Sequence, residues 1–216
     1  MKINFLHKKS GAFIITACLL AALGFSGCSS GSKKSSPFQI AFCALQLNDR
    51  AVSEYGASLL NDMPELKIEG KSPLFTAMIM GEAENNIESG SLVDPMMLMG
   101  GIMKLSALIS SSELDLVISN MENASRIAGG GTFMSLDSIF LENELNVMGE
   151  KLLSFDIVTT DGYGATQITG RTPVCGISIT NNEKMRQIFG SQEIGVFIVA
   201  NSKNIELAKA VMLSLI

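Results

Sequence analysis

Four thiols, twenty-one carboxylates and one imidazole are the groups with which this 216-residue chain could do acid–base, nucleophilic or metal chemistry. The imidazole, His7, lies in a leader-like amino end whose removal leaves a chain with neither histidine nor tryptophan. Ser/His/Asp hydrolysis, Cys/His chemistry and histidine-based metal sites are then unavailable. Cys43 and Cys175 sit in apolar runs, Ile40 to Leu45 and Pro173 to Ile179. They are a disulfide if those runs are neighbouring strands, or buried thiols, which pack well in a core. Two thiols without histidine make no zinc site. No pair of acids is singled out by spacing, and neither a nucleophile nor a base can be named. The expectation is a protein without catalytic activity, metal or cofactor.

A third thiol of interest is Cys28. Residues 1–9 carry Lys2, Lys8 and Lys9 with no acid, and Gly11 to Phe25 is an almost unbroken apolar run. This is the pattern of a secretory signal peptide, and the run is short for an uncleaved membrane helix. It ends in Phe25-Ser26-Gly27-Cys28, which resembles a lipobox, with Phe25 where Leu is usual. The resemblance implies a signal peptide over residues 1–27, diacylation of Cys28 as the new amino terminus, and attachment to the outer face of the cell membrane. Ser29 to Ser36 reads as a flexible tether in the stretch 28–36. Removing residues 1–27 leaves thirteen basic residues against twenty-one acids, a net charge of −8. That charge argues against nucleic acid as a partner. The remainder, 37–216, is one domain's worth of chain.

The elements that would position any site follow from end signals and apolar spacing. Phe38 to Leu45 predicts a strand, and Asn48-Asp49 predicts the cap of a helix that Pro64 closes. Leu66 to Glu69 and Leu74 to Met80 read as strands, and Glu82 to Leu92 as a loop. Asp94-Pro95 opens a helix through Ile109. Its Met96, Met97, Met99 and Met103, mixed with Leu98, Ile102, Leu105 and Ile109, read as core filling; the competing reading is a soft-metal or hydrophobic-ligand surface. Leu114 to Ile118 predicts a buried strand, Ser119-Asn120-Met121-Glu122 a capping box, and Gly129-Gly130-Gly131 the stop of the helix between. Leu141 to Leu153 reads as a helix, while Phe155 to Thr160 and Thr166 to Thr169 flank a hairpin turn at Asp161-Gly162. Pro173 to Ile179 is a strand, Asn181 caps a helix ended by Gly190, and Gly195 to Ala200 is a strand before a helix from Asn204. Strands apolar on both faces alternating with helices imply an α/β fold, one three-layer α/β/α domain with a mainly parallel sheet.

Several of these segments resemble the first lobe of type 2 extracellular solute-binding proteins, the lipoprotein component of ABC importers. The similar stretches are Leu116 to Ala124, Gly131 to Asp137, Pro173 to Ile177 and Gly195 to Lys209. The resemblance implies a membrane-anchored receptor for a small polar solute, partnered by an ABC permease. A full member has two lobes that close on the solute, whereas only Gly162 to Thr172 stands where the second would be inserted. A one-sided site buries too little of a small ligand for tight capture. The expectation is therefore a weak or partner-dependent solute binder, or else an envelope protein-interaction module that keeps the lobe as a scaffold.

In an open parallel sheet a ligand sits beyond the carboxyl ends of the strands, near helix amino termini. The residues there are Asn48, Asp49, Ser119, Asn120, Glu122 and Asn123. Helix capping explains the same residues without a ligand.

Overall fold

The computed structural model describes residues 36–81, 94–160, 162 and 164–216. Cys28, the leader, the tether up to Ser35, the loop from Glu82 to Leu92 and Asp161 lie outside them.

Apolar residues on alternate positions of the first strand, β1 (Gln39–Ala44), already require two cores. Ile40, Phe42 and Ala44 enter one, Ala41 and Cys43 the other. The helix α1 (Asp49–Asp62) starts where the Asn48 side chain accepts the Ala51 N–H at 3.2 Å. It buries Val52, Tyr55 and Leu59 against the first core and leads to β2 (Leu74–Ile79), parallel to β1. The strand expected at Leu66 to Glu69 does not form. Pro64–Leu66 makes a 3-10 turn instead, and Glu69 and Gly70, both at positive φ, fold Ile68 back onto Lys71.

Asp94 caps α2 (Pro95–Ser110) by accepting the Met96 N–H at 2.8 Å. The central strand β3 (Leu116–Asn120) runs parallel to β1, and α3 (Met121–Ala128) follows it directly. Pairing with the last strand keeps the backbone extended through Asn120, one residue beyond the expected cap. Asn120, not Ser119, therefore accepts the Asn123 N–H, at 3.3 Å. The helix expected over Leu141 to Leu153 is shorter. α4 (Glu142–Met148) ends at Gly149, which takes positive φ, and Leu152–Leu153 forms the short strand β4. β5 (Asp156–Thr160) and β6 (Thr166–Arg171) make a separate two-stranded hairpin. β7 (Gly176–Ser178) precedes α5 (Glu183–Phe189), whose cap is Asn182 rather than Asn181, because its side chain accepts the Met185 N–H. β8 (Ile194–Ile198) and α6 (Ile205–Ser214) complete the chain.

The main sheet has the order β2-β1-β3-β8-β7-β4. It is mixed: β1 pairs in parallel with β2 and β3, while β8 is antiparallel to β3 and β7, and β4 to β7. Helices on both faces make a strand apolar on both sides whatever its direction, so the apolar runs could not report that two strands are reversed. α1, α4, α5 and α6 cover one face, α2 and α3 the other. Ser36–Ile216 forms one compact unit.

Candidate functional site

The carboxyl ends of β1 and β3 lie side by side, and the chain leaves β1 for β2 on one flank while β3 stands on the other. This is the kind of switch point where open α/β sheets take ligands. All six expected residues gather at this end of the sheet. What they bind, however, is their own chain. Asn48 is consumed by its cap, and Asp49 is exposed in the first turn of α1. Ser119 is fully buried and donates to the Cys43 carbonyl at 3.1 Å. The Asn120 amide donates to Gln192 at 3.0 Å, and Gln192 in turn donates to the carbonyls of Phe189 and Gln46. The Met121 N–H donates to Glu193. Gln192 thus straps the two strand ends together, and the crevice is filled by the loop before β8. Glu122 pairs with Arg126 one turn on, at 3.1 Å. Asn123 is buried and its amide donates to the Met80 carbonyl at 3.0 Å.

The open concavity lies one layer over, between α2 and α3. It is a groove of about 380 Å³ walled by Ile102, Leu105 and Ile109 from α2 and by Asn123, Arg126 and Ile127 from α3, with Met80 beneath. Asn123 is the one expected residue that reaches it. Beside this groove α2 carries Met96, Met97, Met99, Ile102 and Met103 exposed to solvent, with Met96 at 81% and Met103 at 67% of full exposure. The expected core filling is thus corrected: only Leu98 and Leu105 of this helix are buried. The cause is the way α2 crosses the sheet at its edge strand, touching it at Gly101, where a Cβ would fall 2.3 Å from the Ile79 carbonyl oxygen. A helix laid over an edge has little sheet beneath it to cover its flanks. The sequence held a signal for this: α2 is apolar all round and contains no acid, a composition that a soluble helix adopts only when covered on every side.

A second cavity, of about 300 Å³, lies between α1 and α5 and is lined by Tyr55, Asp62, Asn182 and Lys184 among others. The Tyr55 hydroxyl is buried and has no hydrogen-bond partner among the described residues. Burial, with Asp62 adding to it, raises its pKa.

Cys43 and Cys175 are free, buried thiols. Their strands are separated by β3 and β8, so about 14 Å of sheet lies between them, twice the reach of a disulfide. Burial pushes the Cys43 thiol up to about 12 and also raises Cys175, against which a contact to the Thr172 hydroxyl acts. Among the described residues no three His, Cys, Asp or Glu side chains gather as a metal site, and no helix is long and apolar enough to cross a membrane. Sequence reading also passed over Asp115, a buried carboxylate whose oxygens accept from the Gln39 N–H, the Ser202 hydroxyl and the Asn204 amide.

Comparison with family models, with curated proteins and with solved structures finds no match to this chain.

Proposed function

We propose that the protein is an extracytoplasmic lipoprotein, anchored through Cys28, whose α/β body resembles one solute-binding lobe kept as a docking module rather than as a catalyst or a solute trap. The observation that carries this reading is the contrast between two surfaces. At the strand ends, where a solute would sit, the polar groups are already satisfied by Gln192 and by helix caps. On α2, large apolar side chains that are costly to leave in water stand exposed next to an apolar groove. A photo-crosslinking residue placed at Met103 in intact cells tests it. The expected result is a specific adduct that is lost when the exposed methionines are replaced by glutamate; adducts only from positions 48 and 120 would reverse the assignment.

The groove itself favours a second reading, a small apolar solute with one polar group set against Asn123 or Arg126. Its volume lies within the range of small-molecule sites. A thermal-shift screen of sugars, peptides, amino acids and fatty acids tests it, since a ligand that binds the folded state raises the midpoint of melting. A shift lost in Asn123→Ala would support solute binding over docking.

A further inference from the structure

We infer that the occupant of the exposed face of α2 is the lipid bilayer itself, so that the domain lies on the membrane along this helix; the inference rests on the Cys28 anchor proposed above. α2 is a 16-residue helix with no acid and one charge, Lys104. Along the chain the nearest described acids stand past its ends, Asp94 at its amino cap and Glu113 beyond its carboxyl turn. The helix therefore brings no carboxylate of its own to an anionic bilayer, and its one charge is of the attractive sign. Unbranched methionine side chains also adapt to a fluctuating, irregular surface better than branched ones.

The tether supplies the proximity. The eight residues Ser29 to Ser36 can reach about 28 Å at most. They enter the fold at β1, where the Gln39 N–H donates to the Asp115 carboxylate and the Gln39 carbonyl accepts the Asp115 N–H, both at 3.0 Å. Asp115 follows the end of α2 by five residues. The anchor thus meets the body beside one end of α2, and the helix, about 24 Å long, lies within the reach of the tether. A surface held this close to lipid needs only weak apolar affinity to stay docked.

The experiment uses the full chain, processed in cells and reconstituted into vesicles of phosphatidylethanolamine and phosphatidylglycerol. Because Cys43 and Cys175 are buried, Met99→Cys and Glu206→Cys can each be labelled with a fluorophore, the second lying on α6 across the sheet. Nitroxide-bearing lipid is expected to quench the label at 99 and not the one at 206. Adding Met96→Glu and Met103→Glu should lower the docked-to-free ratio by about tenfold per methionine replaced, while Cys28 keeps the protein on the vesicle. Equal quenching at both positions, or none at 99 in acylated protein, overturns the inference. So does a label at 99 already shielded in lipid-free Cys28→Ala protein, which assigns the face to a second copy or to this chain. Mass spectrometry showing no acyl group on Cys28 overturns the anchor as well, which separates that failure from the others.

Discussion

Asp115 places a carboxylate in the interior and satisfies it with three donors from two distant parts of the chain, Gln39 at the start of the first strand and Ser202 and Asn204 in the loop after the last. Hydrogen bonds to a charged acceptor are worth more than neutral ones, and their loss strands buried donors. Asp115→Ala should therefore cost about 3 kcal/mol, read as a lower urea midpoint, with the Gln39 and Asn204 amides losing protection from hydrogen exchange. Cys43 tests burial from the opposite side. A thiol with its pKa near 12 presents almost no thiolate at neutral pH, so a maleimide should modify native protein at neither core cysteine until denaturant is added. Fast labelling of Cys43 in buffer would show that the first strand opens. These residues also mark what was legible. Cys43 lay in an apolar run and was readable as a core thiol. Asp115 had no such signal, because a carboxylate between two leucines reads the same whether its partners are water or a loop that arrives more than eighty residues later.

Three elements with strong end signals begin or stop where those signals stood. Asn48 opens α1, Asp94-Pro95 opens α2 and Gly129 stops α3. Where local signals competed, pairing decided: β8 held Asn120 in the sheet and so took the cap from Ser119. The candidate site suffered most from this. Caps and strand ends were legible, but Gln192, which closes the crevice, comes from a loop with no pattern of its own. Crossing geometry was likewise invisible, and α2 tests it with two adjacent glycines. Alanine at Gly100 meets nothing within 4 Å and should stabilise the helix by up to about 1 kcal/mol. Alanine at Gly101 meets the Ile79 carbonyl oxygen at 2.3 Å. There the backbone clash outweighs the helix propensity gained, for a net loss of about 2 kcal/mol. Paired melting curves of the two variants decide whether α2 sits on the sheet edge as described.

At the scale of the whole molecule, the hairpin of β5 and β6 stands apart from the main sheet, and its facing Val158 and Ile168 are both exposed. A two-stranded ribbon of this kind adds little stability of its own. Replacing residues 158–168 with an Asn-Gly turn should leave the unfolding free energy from urea titration within about 1 kcal/mol of the parent, whereas a larger loss would show that the arm braces the body. The body is held differently. Its central strand has β1 on one side and β8 on the other, and the Asp115 contacts span 76 residues toward the start of the sheet and 87 toward its end. Closure across such spans comes late in folding. A polypeptide threaded through a narrow conduit amino end first would emerge with its middle strand half-dressed, unable to lock until the final fifth of the chain had followed. If the chain is exported as proposed, that delay keeps the thread pliable for as long as it is in transit.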